Sequence, residues 1–217
     1  MKAYFNTRAV SNYTTIILSG LFTLQSFAAV SQSEWQLNKN QEGIRVYTKD
    51  EKGSEFKAFK AIITINASID KVINRLKNAN EYKEWYGYTK TSILLKRDNN
   101  VQYNYVETLF PWPFRNRDMV YRMLINTHDS GVVRIDLKGI SDYIPERKGI
   151  VRMSKAEGSI LLQPLEKRIT EVTYVFHSEP GSNIPAWLAN SSVAELPFKT
   201  LTGLRKILRE EINFSGQ

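Results

Sequence analysis

The stretch Ile184-Pro-Ala-Trp-Leu-Ala-Asn-Ser-Ser-Val-Ala-Glu-Leu-Pro-Phe-Lys-Thr-Leu-Thr-Gly-Leu-Arg-Lys-Ile-Leu-Arg-Glu-Glu-Ile212 decides the fold class. Apolar or small residues recur along one helical face, at Trp187, Ser191, Ala194, Phe198, Leu201, Leu204 and Leu208. Lys199, Arg205, Lys206, Arg209 and Glu210 fall mostly off that face. The spacing predicts a long amphipathic helix over 184–212. Pro185 stands near its first turn, where a missing N–H costs little. Pro197 lies inside it, so a bend or interruption is expected there.

What precedes this helix reads as strands. A short helix around Glu34–Asn38 is expected to lead into a strand at Gly43–Lys49, then a second at Phe56–Asn66. Ser68 is a good N-cap for a helix with Ile69, Val72, Ile73 and Leu76 at helical spacing, ending near Asn78–Asn80. Glu81–Tyr86 adds another turn. Further strands fit Thr89–Lys96, Val101–Phe110, Asp118–Thr127, Val132–Lys138, Gly149–Lys155, Gly158–Gln163 and Ile169–His177. Asp98-Asn99-Asn100 makes one of the turns. Consecutive strands joined by short turns predict an antiparallel sheet, hence an α+β chain. A terminal helix with one apolar face then belongs across that sheet, and a curved sheet gripping it can leave a cavity.

Composition narrows the function. The chain has 217 residues, 30 Lys+Arg, 22 Asp+Glu, no Cys and 42% hydrophobic residues. That length suits one domain with one sizeable core. Zero Cys excludes disulfides, thiolate metal sites and a Cys nucleophile. The histidines, His128 and His177, lack ligand spacing, so no metal and no cofactor is expected. The excess of +8 suits an anionic surface. No phosphate loop or stacking platform points to nucleic acid.

The N-terminus reads as an export signal. No acidic residue precedes Glu34; Lys2 and Arg8 supply positive charge; a mainly apolar stretch runs from Tyr13 to Leu24, followed by Ser26-Phe27-Ala28. This predicts a signal peptide at 1–28, cleavage after Ala28 and a mature domain over 29–217, located in a bacterial periplasm. The competing reading, a membrane anchor, needs about 20 mostly apolar residues, and Thr14, Thr15, Ser19, Thr23 and Gln25 dilute this stretch.

Three segments carry a family resemblance: Tyr82-Lys-Glu-Trp85, Pro111-Trp-Pro-Phe-Arg-Asn-Arg-Asp-Met-Val-Tyr121, and Glu179-Pro-Gly-Ser-Asn-Ile-Pro-Ala-Trp-Leu-Ala-Asn190. Over roughly residues 35–212 the chain resembles the START family, the steroidogenic-acute-regulatory-related lipid-transfer domains. Ser182 departs from a second Gly common in that family, while Gly181 is kept. The resemblance implies a helix-grip fold: a curved antiparallel sheet wrapped around a long C-terminal helix, with an internal hydrophobic cavity for one ligand. It also implies a gate built from that helix and neighbouring loops.

Alternation places Met119, Tyr121, Met123 and Ile125 on one face of their strand, lining either a cavity or a dry core. In the preceding strand it allows Tyr103, Tyr105 and Glu107, or Asn104, Val106 and Thr108, to face inward. The resemblance favours the second set. In phosphatidylcholine-binding relatives an aromatic cage and an Arg hold the headgroup; the matching positions here are Val106, Met119, Ala156 and Lys83. The missing cage argues against choline lipids. The expected ligand-binding set is Lys83, Asn104, Val106, Thr108, Met119, Tyr121, Met123, Ile160, Trp187, Ser191, Ala194 and Phe198. Trp112, Phe114, Arg115 and Pro197 are the expected gate and membrane contacts, with Arg147 and Lys148 adding charge. Arg117-Asp118 reads as a headgroup or catalytic pair, or as an ion pair or backbone clasp fixing the loop.

The leading expectation is therefore a monomeric lipid binder, carrying its ligand between membranes through transient surface contact. A helix-grip enzyme of the polyketide cyclase type is the alternative, with Glu107 and Glu195 as its candidate carboxylates. A ligand-sensing interaction module is the other. His177 beside Ser178 and Glu179 has no nucleophile elbow, so no catalytic residue is assigned. N-terminal sequencing of the protein recovered from its own cells should begin at Ala29; Met1 retained on membrane-bound protein would establish the anchor instead.

Overall fold

The computed structural model describes residues 34–214 other than 154, 182 and 183. The expected leader 1–28, its cleavage point and Ser182 lie outside the described residues. The elements are β1 (Gln36–Gln41), β2 (Ile44–Lys49), β3 (Ala58–Ile65), α1 (Ile69–Lys77), a 3-10 turn (Ala79–Glu81), α2 (Tyr82–Trp85), β4 (Thr89–Asp98), β5 (Val101–Thr108), β6 (Arg117–Thr127), β7 (Val133–Gly139), β8 (Val151–Arg152), β9 (Lys155–Glu166), β10 (Ile169–Glu179), α3 (Ala186–Ser192) and α4 (Glu195–Phe214).

The strands form one sheet in the order β1-β2-β3-β10-β9-β7-β6-β5-β4, antiparallel along this path, with β8 added parallel to β6. Alternation sends one side of each inner strand into a common core: Ile44 and Val46 of β2, Ile63 and Ile65 of β3, Met123 of β6, Ile135 of β7, Ile160 and Leu162 of β9, Val172 of β10. Leu201, Leu204 and Leu208 of α4 complete it, each at most 1% exposed. Each such Leu stabilises the fold by about 1.5–3 kcal/mol through burial. This is the expected helix-grip α+β architecture.

Three local expectations are corrected and a fourth, the Ser68 N-cap, holds in position only. Residues 34–38 are not a helix: Gln36–Gln41 pairs with β2 as a hairpin across Glu42 and Gly43, both at positive φ, and this pairing overrides local propensity. Gly149–Lys155 is not a full strand; only Val151–Arg152 pairs, parallel to β6, while the next strand runs unbroken from Lys155 through Gly158 to Glu166. Ser68 takes the N-cap position without making a side-chain cap bond. The C-terminal helix is divided, and the break falls at Val193 and Ala194 rather than at Pro197. Pro197 sits in the first turn of α4, where its missing N–H leaves no intrahelical bond unmade.

Two glycines set the depth of α4. A Cβ on Gly203 would stand 2.0 Å from the Trp85 carbonyl oxygen, and one on Gly87 would stand 2.8 Å from the Leu196 oxygen. The Gly87 N–H donates to Thr200 Oγ1 at 3.1 Å. Backbone meets backbone here, so no side chain has room. Gly203→Ala should therefore force α4 away from α2 and destabilise the protein by about 1–3 kcal/mol, read from urea unfolding; unchanged stability would show that this contact is not needed.

Candidate functional site

A cavity of about 160 Å³ lies between the sheet and α3. Its walls come from Phe59 of β3, Val106 and Thr108 of β5, Met119 and Tyr121 of β6, and Tyr174 and Phe176 of β10. Phe56, Tyr86, Phe110 and Met153 enter from the adjoining loops; Ala189, Asn190 and Ser192 of α3, then Val193 and Leu196, cover it. Period-two alternation explains the paired contributions from β5, β6 and β10.

Of the expected ligand-facing residues, Val106, Thr108, Met119 and Tyr121 are brought together on this wall. Met123 and Ile160 are packed in the core and do not line it. Asn104 is fully buried beyond the cavity, its Oδ1 accepting from Gln102 Nε2 at 2.9 Å. Ala194 is buried without lining the cavity. Lys83 lies exposed on α2 and does not line the cavity. Trp187 is 72% exposed and Ser191 is exposed. The break before α4 displaces both from the stripe that a continuous helix would present. Phe198 is half-buried with Lys39 Nζ 4.1 Å over its ring.

Sequence reasoning missed the larger part of the wall. Phe56, Phe59, Phe110, Tyr86, Tyr174 and Phe176 join the expected Tyr121 in making the cavity aromatic, so the wall carries rings despite their absence at Val106, Met119 and Ala156. Those three positions alone therefore understate the aromatic content of the cavity. Alternation along β10 carried part of this signal; the contributions of Tyr86, Phe56 and Phe110 depend on loops. Phe59 and Tyr174 meet edge to face at 4.9 Å, and the Tyr86 and Tyr174 hydroxyls share a hydrogen bond. Burial pushes the Tyr121 phenol up to about 12 and raises Tyr86 and Tyr174 as well.

The rim is held by charged groups. Asp118 takes a bidentate pair from Arg152, with Nε to Oδ1 at 2.8 Å and Nη2 to Oδ2 at 3.2 Å. Arg152 Nη1 also donates to the Ser141 and Ile144 carbonyls at 2.6 and 3.0 Å, tying the 140–150 loop to β6. Arg117 points the opposite way: its Nε donates to the Pro180 carbonyl at 3.0 Å, its Nη1 to the Arg115 carbonyl, and Phe110 lies 4.7 Å from its guanidinium. Arg117 and Asp118 are thus neighbours in sequence with separate partners, and both are clasps. Burial pushes the Glu107 carboxyl up, but hydrogen bonds from Asn116 and Lys90 more than offset it, leaving its pKa below the ordinary value. Glu195 pairs with Lys39 at 2.7 Å, and neither carboxylate lines the cavity.

The cover and the neighbouring loop differ in how they are held. No residue of α3 is fully buried. Asn190 ties it down: Oδ1 accepts from the Lys57 N–H at 2.8 Å and Nδ2 donates to the Glu55 carbonyl at 2.8 Å. In the 110–116 loop Trp112 is 93% exposed, Arg115 exposed and Phe114 half-buried. Asn116 Nδ2 donates to Glu107 at 2.7 Å and holds the base of that loop.

The chain is similar to known proteins. A STAR-related lipid transfer protein from Xanthomonas axonopodis is 39% identical, with a TM-score of 0.77 covering 81% of this chain and 98% of that one. An uncharacterized protein of Pseudomonas aeruginosa is 34% identical over 191 residues, 88% of this chain and 94% of that protein. The phosphatidylcholine transfer protein of Rattus norvegicus is 25% identical over 167 residues, 75% of this chain and 78% of that protein. The START domain model matches residues 22–211, and the chain belongs to the START domain family.

Proposed function

We propose that this chain binds an apolar lipid in the cavity beneath α3 and carries it between membranes. The observation that carries the reading is an aromatic, largely buried cavity covered by a helix with no buried residue of its own. The names of its relatives, a lipid transfer protein in Xanthomonas and a phosphatidylcholine transfer protein in rat, support it. Burial drives binding, at about 25 cal/mol for each Å² of apolar surface withdrawn from water. The cavity's 160 Å³ is below the roughly 300–1,000 Å³ of drug-sized ligand sites. Entry of a lipid therefore requires α3 to swing outward about Val193 and Ala194, releasing Asn190.

Trp112 and Trp187 lie on the two segments that border the cavity, and their exposure suits insertion at a lipid surface. Arg115, with Arg147 and Lys148, adds attraction to anionic lipid. The reading is non-catalytic: a cyclase needs an acid or base in the cavity, and the carboxylates considered for that role lie elsewhere. It is also monomeric, since edge strands β1 and β4 carry bulges and Lys39, Lys90, Lys96 and Arg97, which discourage edge pairing. The basic and apolar N-terminus supports export to the periplasm.

A vesicle-to-vesicle transfer assay with a fluorescent phospholipid tests the function. The wild type should accelerate transfer, and Trp112→Ala with Trp187→Ala should lower vesicle binding by about tenfold (about 1.4 kcal/mol) without loss of fold. Transfer at the uncatalysed rate with wild-type protein would sink the carrier reading.

The latch has its own test. Asn190→Ala removes both bonds to the Glu55–Lys57 backbone. It should lower stability by about 1–2 kcal/mol and speed lipid exchange several-fold. A rate identical to the wild type would place the gate somewhere other than α3.

A further inference from the structure

Thr108, Ser178, Asn190 and Ser192 bring polar groups to the cavity, and its aromatic wall adds three phenols. Tyr174 is 1% exposed and Tyr121 6% exposed, and both line the wall together with Tyr86. The Tyr86 and Tyr174 hydroxyls meet across it in one hydrogen bond. Two hydroxyls joined by one bond leave one O–H to donate, with lone pairs to accept. Among the described residues, no acidic side chain lines the cavity, and the one basic lining residue is Lys57. Its side chain is 34% exposed with the ammonium 3.4 Å from Asp50, and its backbone N–H donates to the Asn190 latch.

A charged ligand group has little to meet in this interior. An anion would leave water for a wall whose single cation is at the rim and already beside a carboxylate. A quaternary ammonium would meet ring faces partly engaged with one another: Phe59 against Tyr174, and Tyr86 stacked on Tyr82 at 5.4 Å. No carboxylate there would balance its charge. Burying an uncompensated charge is far more costly than burying a neutral group that finds a hydrogen bond. Burial also keeps these phenols protonated, so they remain donors through the physiological range.

We infer that the Tyr86–Tyr174 pair is a recognition subsite for a neutral oxygen, a hydroxyl or carbonyl at the buried end of the apolar ligand. This rests on the lipid-binding reading and narrows it, because it puts an uncharged oxygen at the bottom of the cavity and leaves any charged group at the Lys57 rim. The pair then recognises the ligand by accepting from its O–H, or by donating to its C=O.

Three probes with the same chain and different ends separate the possibilities: decanol, decanoate and decyltrimethylammonium, titrated by calorimetry below their micelle concentrations at neutral pH. Decanol should bind about tenfold more tightly than either ion. Tyr86→Phe with Tyr174→Phe should weaken decanol binding several-fold and change the binding of either ion by less than twofold, while thermal unfolding stays cooperative. If the double variant does not fold, Tyr86→Phe alone, at the less buried position, should reduce the preference several-fold. Equal or tighter binding of either ion by the wild type overturns the subsite, as does a decanol affinity unchanged by loss of the hydroxyls. Failure of all three probes to bind would instead overturn the lipid-binding reading, and the subsite with it.

Discussion

The approach of the Gly203 backbone to the Trp85 carbonyl governs how the rest of the molecule is arranged. It lets α4 lie against α2 with no side chain between them, and Gly87 repeats the device against Leu196 and Thr200. With α4 at that depth, Leu201, Leu204 and Leu208 reach the core built by β2, β3 and β10. Tyr86 follows Trp85 directly, so the same contact that seats the helix also carries Tyr86 to Tyr174. A contact whose immediate result is packing thereby sets the geometry of the cavity wall.

The division of the C-terminal helix separates stability from access. α4 is anchored by fully buried leucines, whereas α3 has no buried residue and is tied through Asn190 to the backbone of residues 55 and 57. Regions with few buried contacts open at lower free energy than the core. Opening at α3 therefore leaves the sheet and α4 packed, in keeping with the ligand exchange proposed above.

Charge is distributed in keeping with this. The buried ionic groups, Arg117, the Asp118–Arg152 pair and Glu107, hold the loops around the cavity in place through backbone carbonyls, Asn116 and one another. Buried charge is tolerable where every group has a partner. The cavity wall is left mainly to aromatic rings, methionines and uncharged hydroxyls.

Periodicity by itself determined the α+β class, the antiparallel sheet, the inward set Met119, Tyr121, Met123 and Ile125, and the Leu201, Leu204 and Leu208 stripe. These follow from the fixed repeats of strand and helix, which a chain obeys residue by residue. Motif resemblance supplied the family and the loop at 111–121. Only the tertiary structure decided which inward residues meet open space: Met119 and Tyr121 line the cavity while Met123, two residues on, is packed solid. It also moved Lys83, Trp187 and Ser191 to the surface and brought in Tyr86, Phe56 and Phe110. It gave residues 36–41 a strand partner across the Glu42–Gly43 turn. Such outcomes depend on how closely distant segments approach, on where a helix breaks and on which edge stands free to be paired. None of these has a period to be read along the chain.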